Sequence, residues 1–452
     1  MSRFFLPIFI LLLAAFPAFA APPPNVVVLI IDDIRWDSLG CAGNSIVVTP
    51  NIDGFAKEGV RFTQTRVTTS ICMTSRATLL TGQHMARHGI AKFGVPLSDD
   101  AFAKTYPGVL KANGYHTGYV GKYGVGQPPK GGYDFARTYE GTHWLNPKGA
   151  DKIHVTEKNA RDALEFLKAR PKDKAFCLTV GFFAPHAQDN APEQYLPQDW
   201  SAKHYAGKAI PVPAAASEAA LKALPPFLSD AKNEGRVRWK KRFDTPEKFQ
   251  QSMTNYYRLI TEVDEAIGRI LAELKAQGAD ENTLVVVTGD NGYFHAERGL
   301  ADKWYPYEEA LRVPLIVRDP RVPVGKRGTV REELVLNLDV APTLVAAAGA
   351  KVPEGMQGRD FGPLLQREAA SGWRTEFYYE HPTITSKDRI PSSQAVVSRI
   401  AKYVRYPEHD YEQLFDLKSD PGEVNDLAKD SAHAKLLDAM KSKFELLKVE
   451  AK

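Results

Sequence analysis

The sequence predicts an α/β fold: a mostly parallel central sheet with helices on both faces, followed by a small C-terminal α+β subdomain with an antiparallel sheet. Three observations predict it. NVVVLIIDD, opening at Asn25, is an unbroken run of β-branched and aliphatic residues, the pattern of a strand buried on both faces. Runs of the same kind recur as GYHTGYVGK, AFCLTVGFFAPH, NTLVVVTGDNG and RVPLIVRDP, several of them behind helical patterns, and strands alternating with helices build parallel sheets. Beyond a break at VPEGMQGRDFGPLL, the segments EFYYEHP, AVVSRIAKYVRYP and EQLFDL read as antiparallel strands before a charged terminal helix.

In chain order, Arg3 is followed by FFLPIFILLLAAFPAFA, so residues 1–21 read as a secretory signal peptide cleaved near Ala20 or Ala21. The apolar run contains Pro7 and Pro17 and falls short of the ~20 apolar residues of a spanning helix, which predicts a periplasmic or secreted protein without a stable membrane anchor. Residues 25–350 form the expected large domain. TEKNARDALEFLKAR predicts a helix with a Thr cap, leading into the strand that holds Cys177. Residues 188–249, with PEQYLPQDW, IPVPAAASEAA and LPPF, are proline-rich and patternless, and read as an irregular surface insertion of the kind that carries substrate contacts. From Ser252 to Ala276, Tyr256, Ile260, Val263, Ile267, Ile270 and Leu274 form one apolar stripe, a helix stopped at Gly278. DVAPTLVAAAG predicts a further helix, and a boundary between Lys351 and Trp373 leaves 374–452 as the small subdomain.

At 44% hydrophobic and 10% aromatic, 452 residues suffice for a large core, which excludes a disordered tail, a collagen and a coiled coil. Lys and Arg total 58 against 54 Asp and Glu, a net charge of +4 with no basic stripe between aromatics, so nucleic acid is not an expected partner. Cys41, Cys72 and Cys177 are too few for a disulfide scaffold, and their odd number leaves at least one thiol unpaired; spacing leaves a Cys41–Cys177 pair open.

Asp32 and Asp33 stand where one buried strand exits, Asp290 and Asn291 where another does. A parallel sheet puts both pairs on one carboxyl edge, where ligands bind in open α/β sheets. Either pair alone reads as a solvated acidic turn. Together their oxygen donors suit a hard divalent cation, Ca²⁺ or Mg²⁺, better than zinc.

CMTSRATLLTG, with Cys72, Ser75, Arg76, Thr81 and Gly82, resembles the signature of the type I, formylglycine-dependent sulfatases of the alkaline-phosphatase-like superfamily. NVVVLIIDDIRWDSLG resembles that family's first metal strand, FFAPH its histidine loop, TGDNG its second metal loop, LADKWYPYEEALRVPLIV its lysine segment and EQLFDLKSDPGEVNDLA its C-terminal tail. The resemblance implies a sulfuric ester hydrolase acting on a sulfated small molecule or glycan. Its nucleophile would be the hydrate of formylglycine (3-oxoalanine), made from Cys72 by a formylglycine-generating maturase. One Ca²⁺ or Mg²⁺ per chain would be held by Asp32, Asp33, Asp290, Asn291 and the modified Cys72. Arg76 would hold the modified side chain, while Lys122, His186 and Lys303 would bind sulfate and protonate the leaving oxygen.

The chemistry asks for such residues. A thiol keeps its proton near pH ~8.5 and would form a stable adduct, whereas an aldehyde hydrate offers one hydroxyl to attack and a second to expel the product. Two positions depart from the pattern: Thr74 stands at the usual proline, and Gly124 at a histidine that helps deprotonate the hydrate. His295 is a candidate substitute for that histidine and, with Arg298, a candidate substrate contact. Two other readings stay open: a phosphatase or phosphonate hydrolase of the same superfamily, and an inactive carbohydrate-binding descendant.

Overall fold

Eight strands form the central sheet: β1 (Asn25–Ile31), β2 (Val60–Arg66), β3 (His116–Gly121), β4 (Phe135–Thr138), β5 (Phe176–Phe182), β6 (Thr283–Gly289), β7 (Leu315–Arg318) and β8 (Thr329–Leu336). The computed structural model describes residues 23–149, 151–367 and 371–452, so the expected signal peptide lies outside the described residues. The strand order is β8-β2-β7-β6-β1-β5-β3-β4, and β7 alone runs against both of its neighbours. The other pairs are parallel, with Val28 of β1 in register with Thr179 of β5 and Val286 of β6.

β1 is buried on both faces, as its unbroken apolar run requires. Val27, Leu29 and Ile31 enter one core and Val26, Val28 and Ile30 the other. Two helices cover the first face, α2 (Val155–Ala169) and the long α3 (Pro246–Ala276), which buries Ile260, Val263, Ile267 and Ile270 there. The second face is covered by α1 (Cys72–Thr81) and α4 (Val340–Ala347), through Ala77, Leu79, Leu80 and Leu344.

Helix starts differ from the sequence reading for local reasons. His154 caps α2, its Nδ1 accepting from the Thr156 amide at 3.3 Å, because the first helical turn begins one residue before the threonine. α3 begins at Pro246 rather than near Ser252. Thr245 caps it and Pro246 occupies the first position, where a missing N–H costs nothing, while the apolar stripe needs only the later turns. The segment 188–249 is neither irregular nor confined to the surface. It holds a 3₁₀ turn (Asp199–His204) and the helices Glu218–Lys222, Pro226–Ser229 and Glu234–Arg242. Tyr195, Tyr205, Ile210 and Phe243 enter the core individually, a tethering that has no period for a sequence pattern to reveal.

The C-terminal strands β9 (Glu376–His381), β10 (Ser393–Ser398), β11 (Ala401–Tyr406) and β12 (Tyr411–Asp416) form an antiparallel sheet in that order. The terminal helix α5 (Ala434–Glu450) packs Met440 and Phe444 against Tyr378 and Tyr403 on one face. The opposite face places Phe377, Tyr379 and Val397 in a core shared with Trp304, Tyr305 and Tyr307. Cys41, Cys72 and Cys177 are all free thiols. Among the described residues no helix is long and apolar enough to cross a membrane.

Leu29 is fully buried at the centre of the sheet. Leu29→Ala is expected to lower the unfolding free energy by about 2–5 kcal/mol, read from denaturant titration with an unchanged slope; a loss below about 1 kcal/mol would contradict the assigned core.

Candidate active site

The parallel strands converge at their carboxyl ends. β1 delivers Asp32 and Asp33, β3 delivers Lys122, β5 leads through Phe183–Pro185 to His186, and β6 delivers Asp290 and Asn291. β2 leads to Cys72, the first residue of α1, a helix whose ten residues are all buried. Asn337, just past β8, fixes that helix by donating to Ser75 Oγ at 2.9 Å and accepting from the Thr68 amide at 3.2 Å.

Three cations meet three carboxylates. Lys122 Nζ bonds Asp32, Lys303 Nζ bonds both oxygens of Asp33 at 2.6 and 2.8 Å, and Arg76 Nε bonds Asp290 at 2.7 Å. All six are at most 5% exposed. Asn291 donates to Asp33 Oδ1 at 2.7 Å, and Arg76 also donates to the Lys122 carbonyl at 2.5 Å. Asp33 has a left-handed backbone (φ 53°), held by the Tyr256 hydroxyl on its carbonyl at 2.7 Å and by its own amide on Asp290 at 3.3 Å.

These environments separate the carboxylates. Burial pushes Asp32 up, but the charges of Lys122, His186, Arg76 and Lys303 together outweigh it and hold the group well below the usual carboxylate range. Burial raises Asp33 to about 6 despite Lys303, with Asp32 and Asp302 adding repulsion. Burial and the Asp32 charge raise Asp290 to about 7 despite Arg76. Burial, then Lys303 and Lys122, depress His186 to about 3. The Cys72 thiol is pushed up by burial, partly offset by Lys122 and Lys303.

His186 Nδ1 lies 2.6 Å from the Ala187 carbonyl, a contact that requires the proton on Nδ1 and leaves Nε2 facing Asp33 Oδ2 at 3.6 Å. Asp32, Asp33 and His186 present ligand atoms within 4.8 Å of one another. Asp32 Oδ1 and Asn291 Oδ1 are buried without a hydrogen-bond partner. Oxygen-rich donors with two unsatisfied oxygen atoms fit a hard divalent cation. Cys72, Lys122, His186 and Lys303 line one cavity of about 850 Å³ that opens to the surface.

The sulfatase family model matches residues 24–350. The chain belongs to the sulfatase family. It is therefore an enzyme of the sulfuric ester hydrolase class, on the alkaline-phosphatase-like fold. The model of the C-terminal region of N-sulphoglucosamine sulphohydrolase matches residues 296–450. An N-acetylglucosamine-6-O-sulfatase of Bacteroides thetaiotaomicron is 28% identical over 91% of this chain and 84% of its own, and an arylsulfatase of Clostridium perfringens 27% identical over 92% and 93%. A solved structure described as in complex with its substrate D-glucosamine-2-N,6-O-disulfate superposes with a TM-score of 0.79 at 25% identity, over 95% of this chain and 98% of that one. The phosphonate monoester hydrolase of Agrobacterium radiobacter, at 23% identity and a TM-score of 0.80 over 95% and 96%, shares the fold.

The structure thus brings together Asp32, Asp33, Cys72, Arg76, Lys122, His186, Asp290, Asn291 and Lys303. It places His295 and Arg298 elsewhere, against their expected role as substrate contacts. His295 is buried beside the rings of Tyr256, Tyr257 and Tyr293, away from the cavity, and burial holds its imidazole far below its ordinary range. Arg298 is bonded to Glu309 at 2.8 Å and to the Gly422 carbonyl at 2.5 Å, over the Tyr307 ring. Several cavity-lining residues escaped the sequence reading, among them Asp189, Arg238 and Asp302. The four-residue spacing of Arg238 and Arg242 and the place of Asp302 before Lys303 were the available signals.

Gly124, where the resemblance puts a histidine, has little room for a side chain. Its backbone is left-handed (φ 74°), and a Cβ there would lie 2.8 Å from Arg76 Cδ. Gly124→His is therefore expected to lower activity at least about tenfold and to cost about 1–2 kcal/mol of stability in backbone strain alone; a variant as stable as the parent and more active would refute this geometry.

Proposed function

We propose that this sulfatase hydrolyses a sulfate monoester of a sulfated carbohydrate, with formylglycine made from Cys72 as nucleophile, a Ca²⁺ or Mg²⁺ ion at Asp32, Asp33, Asp290 and Asn291, and export through residues 1–21. The observation that carries the reading is Cys72 at the N-terminus of α1, on a cavity lined also by Lys122, Lys303 and His186, beside the carboxylate edge. An N-acetylglucosamine-6-O-sulfatase among the relatives supports a carbohydrate substrate.

The bound cation would supply Lewis-acid polarisation and balance sulfuryl charge. Formylglycine hydrate would offer two hydroxyls, one to attack sulfur and one to expel sulfate. Around these, Lys122 and Lys303 bind the sulfuryl oxygens, and the positive end of α1 adds to their field. Arg76, anchored on Asp290 and the Lys122 carbonyl, fixes the orientation of the Cys72 side chain. His186 Nε2 hands a proton to the departing alkoxide, and a sulfate anion beside Lys122 and Lys303 offsets the cationic part of its depression, of which burial is the larger cause. The sum is one water consumed, the S–O bond to the alcohol broken, and alcohol and sulfate released.

Peptide mass spectrometry of active protein co-produced with a maturase is expected to show a loss of about 18 Da at Cys72 relative to cysteine, and Cys72→Ala to lower turnover at least about 10³-fold. An unmodified thiol in active enzyme would favour the phosphatase or phosphonate hydrolase reading, and confirmed formylglycine with glycan binding but no turnover would favour the inactive descendant. Exhaustive chelation should abolish hydrolysis of an aryl sulfate, with recovery on adding Ca²⁺ or Mg²⁺; full activity of metal-free protein would sink the assigned ion site.

A further inference from the structure

Charge in the cavity is segregated. The floor carries Lys122 and Lys303, whereas the wall towards the mouth is built from Asp189, Glu234, Arg238, Asp302 and Arg389, with exposed Glu140 at the rim. Every guanidinium in that wall is already bonded to carboxylates. Arg238 donates to Glu234 at 2.7 Å, pairs with Asp189 and lies 3.8 Å from Asp302. Behind it, fully buried Arg242 spans Asp189 and Asp302, at 3.0 Å to each. Arg389, from the C-terminal subdomain, pairs with Glu234, whose amide donates to the Arg389 carbonyl at 3.0 Å. Four carboxylates, Glu140 included, thus face three committed guanidiniums. Both guanidinium bonds to Asp189 fall on Oδ1. Phe93, 59% exposed, lines the same cavity, as do Ile384 and Ile390.

We propose that this wall is a leaving-group subsite that accepts an uncharged, hydroxyl-bearing group and rejects one carrying a second anion next to the scissile ester. The inference rests on the sulfate-ester reading of the floor. Carboxylate oxygens accept hydroxyl hydrogen bonds, and Phe93 covers the C–H face of a sugar ring. A second sulfate meets a net negative wall whose guanidiniums each already pair with a carboxylate, and that repulsion is electrostatic and screened by salt. Glu234, braced by Arg238 and Arg389, is a positioning residue for the wall, and Glu140 sets its outer field.

The test is kcat/KM on a panel of monosaccharide sulfate monoesters, each paired with a counterpart bearing a second sulfate on the neighbouring carbon. The parent enzyme is expected to favour the monosulfated member at least about tenfold, chiefly through KM, with the preference shrinking as salt rises. Glu140→Lys, at an exposed position that the fold tolerates, and Glu234→Gln should each reduce the preference at least about threefold. Equal or reversed preference in the parent, or an unchanged ratio and salt dependence in both variants, would overturn the proposal. Hydrolysis of an aryl sulfate with no sugar ester turned over would overturn the subsite and leave the sulfate-ester reading intact. Failure on every sulfate ester, the aryl sulfate included, would overturn that reading and the subsite with it.

Discussion

The one-to-one pairing of Asp32, Asp33 and Asp290 with Lys122, Lys303 and Arg76 is the constraint on which the rest of the structure depends. Isolated charges this deeply buried would each cost several kcal/mol, and they persist only where a partner is held in place by the backbone. Three strand ends, one helix and the loop around Lys303 supply that backbone, so the sheet edge is the device that makes six buried charges tolerable together. The pairing is also incomplete in a useful way. Burial raises Asp33 and Asp290 to about 6 and 7 while Asp32 stays ionised, so the site holds less negative charge than its residue count suggests. A bound dication would favour all three ionised forms and compete with the lysines for their carboxylates, turning the ammonium groups towards an anionic substrate.

Backbone strain concentrates where these charges must meet. Asp302 and Trp304 are both left-handed, at φ 68° and 83°, and flank Lys303, so the chain reverses twice to bring one ammonium back onto Asp33. The C-terminal subdomain holds that loop in place. The Tyr379 hydroxyl on β9 donates to the Trp304 carbonyl at 3.0 Å and accepts from Ser70 at 2.7 Å, while the Trp304 amide donates to the Ser70 carbonyl at 3.2 Å. One tyrosine thereby ties the lysine loop to the segment that enters α1 at Cys72. The small antiparallel sheet braces the loop of Lys303 and its segment supplies lining to the cavity, and this is why it is not an inert appendage.

What was legible in the sequence follows from period and position. β1, β3, β5 and β6 are continuous apolar runs, and each ends in residues whose chemistry is plain, so the strands and their acidic, lysine and histidine exits could be placed together before any coordinates. β2 and β8 could not, because VRFTQTR and TVREELVL lie towards the edge of the sheet and carry polar and charged residues among their apolar ones, so they resemble surface segments. The wall of the cleft was hidden for a different reason. Asp189, Arg238 and Asp302 belong to three segments that meet only through ion pairs, and neither hydropathy nor spacing registers a pairing across so many residues. His295 and Arg298 misled by standing close in sequence to Asp290 and Lys303, although the left-handed turns at Ala296 and Arg298 direct them into a separate aromatic and acidic cluster.

Gly124 carries the last step. A side chain at that position and the observed course of Arg76 are mutually exclusive, since a Cβ would lie within 2.8 Å of the arginine stem. The Arg76 stem runs past Gly124, and its Nε bonds Asp290 at 2.7 Å. On the proposed mechanism, the proton released when the second hydroxyl expels sulfate still needs an acceptor. Burial and the Asp32 charge push Asp290 up to about 7 despite Arg76, and a cation bound beside it would lower it again.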